Sequence, residues 1–119
     1  MTIFVKKKLT NMVERNKEVS IIIISHKSKK KVLNLINNIS DDFKIIIIEN
    51  SPDKSIESEL SKHNRNLQIV FSENNGYGSA INLARTHVAT KYFFVLNPDI
   101  QKIDDKLINI SYDSAKELH

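Results

Sequence analysis

Four short apolar runs recur along the chain, at residues 20–25, 45–48, 67–71 and 92–96. The first two are continuous stretches of isoleucine rather than alternating apolar and polar residues. Continuous β-branched runs are typical of strands that are buried on both faces, as in a parallel sheet covered by helices. The pattern therefore predicts four buried strands.

Helical periodicity fills the intervals between these runs. Ser28 is a candidate N-cap for the first helix, and Pro52 is predicted near the first position of the second. The apolar residues at helical spacing are Val32, Leu35, Ile36 and Ile39, then Ile56 and Leu60, then Ala80, Leu83, Ala84 and Val88. The order is βαβαβαβ, and right-handed crossovers make this an α/β fold with a doubly wound, mainly parallel open sheet.

The two ends of the chain have a different pattern. In residues 1–18 one helical face carries the apolar side chains Val5, Leu9, Met12 and Val13. This segment is predicted to be an amphipathic helix, separate from a domain at residues 19–119. The helix packs on the domain or on a partner chain, or it lies at a membrane surface, although it lacks the aromatic content typical of such segments. At the other end, Ile103, Leu107 and Ile110 have helical spacing.

Composition narrows the possible functions. The 119 residues contain no cysteine, which excludes disulfides, thiolate catalysis and cysteine-ligated zinc. No apolar run approaches the roughly 20 residues that span a bilayer. The net charge of +4 includes lysine clusters at residues 6–8 and 27–31, which are either solvated faces or contacts for a phosphate-bearing ligand. Nucleic-acid binding is not favoured, because base-stacking aromatic residues are missing near the lysines.

The glycines and prolines mark one edge of the predicted sheet. Gly76, Gly78, Pro52 and Pro98 are all the residues of these two types in the chain, and each follows the end of a predicted strand. In open α/β sheets, ligands bind outside the carboxyl ends of the strands. We therefore expect a ligand site at this edge.

Asp99 is the candidate metal ligand at that edge. Pro98 cannot donate a hydrogen bond to a sheet, so the fourth strand must stop before Asp99. A single carboxylate suits Mg²⁺ or Mn²⁺ that is held together with substrate phosphates. The alternative is that Asp99 only caps a turn, as aspartate often does after proline.

Polar residues end the other predicted strands. Ser25 follows the first strand, and Glu49 and Asn50 follow the second, where a carboxylate and an amide could read the edge of a nucleotide base. Equally, Glu49 could pair with one of the nearby lysines. The Gly76–Gly78 turn permits a close backbone approach but has neither the Walker sequence nor the dinucleotide-binding sequence.

Four motifs in order give the chain a family resemblance. They are Ser20-Ile-Ile-Ile-Ile-Ser25, then Ile-Ile-Glu49-Asn50-Ser51, then Glu73-Asn-Asn-Gly76-Tyr77-Gly78 with Asn82, and Leu96-Asn97-Pro98-Asp99. Over about residues 19–110 the sequence resembles the amino-terminal half of a family-2 glycosyltransferase. The Leu-Asn-Pro-Asp form is most similar to the rhamnosyltransferase-like branch.

The resemblance implies a GT-A fold that binds a nucleotide-diphosphate sugar, with UDP or dTDP as the nucleotide, through Mg²⁺ or Mn²⁺. By position, Ser25 and Glu49 with Asn50 would contact the nucleoside, and Asp99 would hold the metal. The Gly76–Gly78 turn, which includes Tyr77, would shape the nucleotide-sugar pocket together with Asn82. Glycosyl transfer in polysaccharide or glycoconjugate synthesis is then the implied function, in the cytoplasm or at the inner face of the membrane.

The sequence also departs from the family. Glu49 stands where the family usually has aspartate, and Asn97 stands where many members have the first acid of an Asp-x-Asp motif. The acceptor-binding half, which supplies the general base in inverting members, is not represented, so we expect donor binding without transfer by this chain alone. The alternative function is a non-catalytic module that keeps the fold. In either case we expect a homo-oligomer, because a small open sheet leaves its edges uncovered.

Overall fold

A computed structural model of the chain describes residues 18–73 and 76–99. Strands and helices alternate along these residues as the sequence predicts. The strands are β1 (Val19–Ser25), β2 (Lys44–Glu49), β3 (Leu67–Phe71) and β4 (Tyr92–Leu96). The helices are α1 (Lys29–Asn37), α2 (Ser55–Leu60) and α3 (Tyr77–Arg85).

The four strands form one parallel sheet in the order β3-β2-β1-β4. The chain steps outward from β1 to β3 and then crosses back to place β4 on the other side of β1. The direction of winding therefore reverses between β1 and β4, which is the kind of position where open α/β sheets bind ligands. The register aligns Ser25 with Glu49 and Glu49 with Phe71, so three strands end together.

Two apolar cores cover the two faces of the sheet, which confirms the doubly wound arrangement. Alternate residues of β1 point to opposite faces, as the pleat of a strand requires. On one face Ile21 and Ile23 pack with residues of α1 and α2, and on the other Ile22 and Ile24 pack with Ala80 and Ala84 of α3. Within the described part, β1 and β2 are almost completely buried, whereas β3 and β4 are half-buried.

Two helix starts differ from the expectations. Ser28 is the N-cap residue of α1, but its hydroxyl donates a hydrogen bond to the His26 carbonyl instead of accepting one from the helix. Helix α2 begins at Ser55, three residues after Pro52, because Asp53 accepts the Ser55 N–H and organises the turn between them.

The predicted amino-terminal amphipathic helix of residues 1–18 lies, except for its last residue, outside the described residues. The apolar stripe Ile103, Leu107 and Ile110 lies outside them as well. In the part of the chain that is described, none of the helices has the length and apolar character needed to cross a bilayer.

Candidate functional site

A cavity lies at the carboxyl ends of β1, β2 and β3. Its volume is about 490 Å³, which is within the range of pockets that bind small molecules. Its walls combine apolar, polar, cationic and anionic side chains. The lining residues are His26, Lys27, Asn50, Ser51, Pro52, Lys54, Phe71, Ser72 and Glu73.

Glu49 lies behind this pocket rather than on its surface. Its side chain is buried, with the residue 1% exposed, and both carboxylate oxygens accept hydrogen bonds from the protein. Ser25 Oγ donates to Oε1 at 2.8 Å. Ser51 Oγ donates to Oε2 at 2.8 Å, and the Lys27 backbone N–H donates to the same oxygen at 3.1 Å. These bonds compensate the cost of burying a carboxylate.

Asn50, the residue directly after β2, does line the pocket. Its side-chain Oδ1 accepts a hydrogen bond from Ser72 Oγ at 2.6 Å. Its carbonyl accepts a hydrogen bond from His26 Nδ1 at 3.0 Å, so the imidazole is held at the pocket wall. Lys54 and Phe71 also line the pocket, and the Lys54 ammonium lies 5.6 Å from the centre of the Phe71 ring, a cation–π contact.

Asp99 follows β4, which lies on the opposite side of β1 from β2 and β3. Its carboxylate pairs with Lys31 Nζ, and both side chains are well exposed, at 65% and 61%. Asn97 Oδ1 accepts the Asp99 N–H at 2.9 Å, which forms a tight turn after β4. The Asn97 side chain is thus used to shape the loop that presents Asp99.

A divalent cation could use Asp99 only with ligands from elsewhere. The described residues contain no group of three or more His, Cys, Asp or Glu side chains that could hold a metal ion. One exposed carboxylate fits a Mg²⁺ or Mn²⁺ ion that takes its remaining ligands from phosphates and water. Binding would have to displace Lys31 from the carboxylate.

The glycine turn leads directly into α3. Gly76 is the N-cap residue with φ of +99°, a conformation that only glycine adopts easily. Gly78 is the second residue of the helix, so it belongs to α3 rather than to the turn. Tyr77 is 54% exposed, and Asn82 is exposed on the same helix. None of these residues lines the described pocket.

Asp53 adds a negative charge near the lysines of this edge. The Ser55 backbone N–H that it accepts is the main cause that lowers the pKa of its carboxyl group below the ordinary 3.8. The Ser55 side chain and the charges of Lys29 and Lys27 lower the pKa further, against an opposing effect of desolvation. Asp53 therefore remains ionised well into the acidic range.

The predicted site residues thus divide into three groups. Ser25, Glu49 and Asn50 are brought together at the ends of β1 and β2, where Asn50 is the one of the three that lines the pocket. Asp99 follows β4 on the other side of β1, and Gly76, Tyr77, Gly78 and Asn82 lie at the N-cap and in the first two turns of α3. The sequence placed His26 at this edge of the sheet without assigning it a task and did not single out Lys54 or Phe71, although all three line the cavity. The sequence could have indicated His26 and Phe71 by their positions, because each lies at the carboxyl end of a strand, where open α/β sheets bind ligands.

Comparison with known families supports the arrangement of these motifs. The family model for glycosyl transferase family 2 matches residues 20–110, which is most of the chain. The chain belongs to glycosyl transferase family 2. The match covers the four strands of the family-2 domain, except for Val19 at the start of β1, and the loop that carries Asp99.

The fold of this family-2 domain is also found in a solved structure. The crystal structure of S. aureus TarS, residues 1–349, superimposes with a TM-score of 0.66 at 17% sequence identity. The match covers 84% of this chain but 32% of the TarS chain, so the family-2 chain spans about a third of that structure. At this identity the likeness shows the fold alone. Comparison with curated protein sequences finds no match.

Proposed function

We propose that the chain is the donor-binding part of a family-2 glycosyltransferase. It binds a nucleotide-diphosphate sugar, with UDP or dTDP as the nucleotide, for glycosyl transfer in polysaccharide or glycoconjugate synthesis. Family membership supports the reaction class, and the pocket at the carboxyl ends of β1, β2 and β3 supports the place of binding.

The observation that carries the proposal is the position of this pocket relative to the charged groups. Lys27 lines the cavity, and Lys31, four residues later in the first turn of α1, pairs with Asp99. A nucleoside in the pocket would therefore place its phosphates toward the amino end of α1. There, lysine ammonium groups and the N–H groups of the first helical turn favour negative charge.

In this proposal the residues have distinct tasks. Asn50 and His26 contact the nucleoside, Phe71 packs against it, and Gly76 with Tyr77, Gly78 and Asn82 borders the sugar side. Asp99 holds the Mg²⁺ or Mn²⁺ ion, whose charge would stabilise the diphosphate leaving group. The chain's own contribution is to bind and orient the donor.

We also propose that the chain belongs to the rhamnosyltransferase-like branch. The support is the Leu96-Asn97-Pro98-Asp99 sequence at the end of β4. Since Asn97 shapes the loop through its side chain and Pro98 ends the strand, Asp99 can act as the single acid of this loop. A test of dTDP-sugars against UDP-sugars addresses the branch directly.

The proposal is tested by titration calorimetry of the purified chain with UDP and dTDP, with Mg²⁺ or Mn²⁺ and then with a chelator. We expect binding that needs the metal, and we expect Asp99→Ala to lower the affinity by about tenfold or more, since a charged ligand to the ion is lost. Asp42→Ala, which removes an exposed carboxylate in the loop before β2, is the matched control and should bind as wild type.

Two results would contradict the proposal. If neither nucleotide binds with metal present, the donor-binding function is wrong, and a non-catalytic module with this fold becomes the better explanation. If a nucleotide binds equally well with chelator and in Asp99→Ala, donor binding stands but the role of Asp99 is refuted.

A further inference from the structure

Glu49 has an unusual position for a residue at the ligand edge. It is the last residue of β2, where the neighbouring Asn50 lines the cavity, yet Glu49 is 1% exposed and does not line it. Ser25, the first partner of its carboxylate, has no exposed surface. A ligand in the cavity would therefore meet neither side chain unless the loops opened.

The carboxylate ties two separate loops to the end of the sheet. Through the Lys27 N–H it holds the loop between β1 and α1, and through Ser51 Oγ it holds the loop between β2 and α2. Lys27 and Ser51 both line the cavity, so these bonds fix two of its walls. Each oxygen has at least one donor within 2.8 Å, and none of the three donors comes from Glu49's own strand.

The backbone conformation of Lys27 shows why the hydrogen bonds to Glu49 are needed. It has φ of +53°, and it is the only non-glycine residue with positive φ in the described part of the chain. A lysine in this left-handed conformation is disfavoured on its own and persists only where the surrounding structure fixes it. The hydrogen bond from its N–H to Glu49 Oε2 supplies such a restraint at the sharp turn after β1.

We infer that Glu49 is a positioning residue, which holds the two pocket-forming loops through its carboxylate, and that Asn50 is the residue of this pair that selects the base. Only the role of Asn50 rests on the proposed nucleotide binding. Asn50 Oδ1 is engaged by Ser72, so its amide N–H groups are the donors that it can offer to a ligand in the cavity.

Substitution by glutamine separates positioning from ligand contact. The glutamine side chain can keep the restraint, because its Oε1 can accept from Lys27 and Ser51 while the Ser25 hydroxyl turns to accept from Nε2. Glu49→Gln should therefore retain the loops and bind each nucleotide within about threefold of wild type. If Glu49 instead accepted a hydrogen bond from the base, the same change would replace an acceptor with a donor and would alter base preference.

The first experiment needs no ligand. In amide-resolved NMR of the purified chain, we expect the Lys27 N–H to be protected from hydrogen exchange and shifted downfield by the carboxylate. Glu49→Ala should remove both signatures, Glu49→Gln should keep the protection, and Glu57→Gln, at an exposed glutamate on α2, is the matched control. An unprotected Lys27 amide in the wild type would overturn the inference, even if the alanine variant does not fold.

The second experiment measures the affinities of UDP, CDP and GDP with Mg²⁺ present. We expect Glu49→Gln to keep the wild-type order of preference and Asn50→Asp, which replaces the amide donor with an acceptor, to change it. A changed order in Glu49→Gln, or an unchanged one in Asn50→Asp, would overturn the assignment. If the wild type binds none of the three and also fails to bind dTDP, the proposed function fails, whereas the Lys27 amide still decides the role of Glu49.

Discussion

Among the carboxylates near the carboxyl edge of the sheet, Glu49, Asp53 and Asp99 differ in burial and in partners. Glu49 is buried and accepts hydrogen bonds from two hydroxyls and a backbone N–H. Asp53 is exposed and accepts the backbone N–H of Ser55, and Asp99 is exposed and pairs with Lys31. The same chemical group therefore holds two loops at Glu49, organises the turn before a helix at Asp53 and pairs with a lysine at Asp99.

Asp53 provides a prediction about pH. Because the pKa of Asp53 is lowered in the folded chain, its stabilising effect is complete above its unfolded pKa and is lost as the pH falls through the folded value. We expect wild type to be more stable than Asp53→Ala by a constant amount above about pH 5, and we expect that gap to narrow below about pH 4. Urea unfolding of both proteins across this range measures the gap. A gap that widens in acid would contradict the prediction.

At the residue scale, the sequence predicted positions better than contacts. Ser25, Glu49 and Asn50 meet at one edge because each ends a parallel strand, and strand order alone brings them there. Whether each of these side chains lines the cavity depends on the pleat of the strand and on the conformation of the loop that follows it. The sequence alone therefore did not predict that the Glu49 side chain is buried behind the cavity. The sequence also did not predict the pairing of Lys31 with Asp99, because these two residues are 68 positions apart in the chain.

At the scale of elements, the turn before α3 uses its two glycines differently. Gly76 has positive φ at the N-cap, while its carbonyl accepts the first helical hydrogen bond from Ala80. Gly78 lies inside the helix without positive φ, and a Cβ added there would meet no atom within 4 Å. The backbone conformation therefore requires glycine at position 76 but not at position 78.

Alanine substitution at these two glycines should have opposite effects. Gly76→Ala should lower the free energy of unfolding by about 1–3 kcal/mol, since alanine is strained at this φ. Gly78→Ala should leave it unchanged or raise it by up to about 1 kcal/mol, because alanine favours the helix. Urea unfolding monitored by circular dichroism gives both values. Equal destabilisation by the two changes would show that Gly78 has a role that the backbone does not reveal.

The strands were predictable because their apolar runs are short and uninterrupted. The predicted bounds of β3 and β4 agree with the structure, and β1 and β2 each extend slightly further. Helix ends were harder, because they depend on distant side chains. At the end of α1, for example, Arg65 donates to the carbonyls of Ile36, Ile39 and Ser40, although it lies more than 20 residues later in the chain.

At the scale of the whole molecule, the sheet is well covered at its centre and less so at its sides. The central strands β1 and β2 each have a partner on both sides, whereas β3 and β4 are the outer strands of the described sheet. The overall order of elements followed from the alternation of apolar runs and helical periods. The position of β4 next to β1 did not, since it depends on α3 packing on the face opposite to α1 and α2.

The outer strands lead to a prediction about self-association. All five residues of β4 are apolar or aromatic and half-buried, with neither lysine nor proline inside the strand to discourage edge pairing. We propose that two copies of the chain associate through this edge. We expect the mass measured by light scattering to rise from monomer to dimer between about 1 µM and 1 mM, a range in which modest interfaces form.

Backbone pairing and apolar contact should persist in about 0.5 M salt, whereas association through the lysine clusters should weaken there. A monomer mass at every concentration would refute the proposal. Dimers that dissociate in salt would show that the contact lies on the basic surface and not at β4.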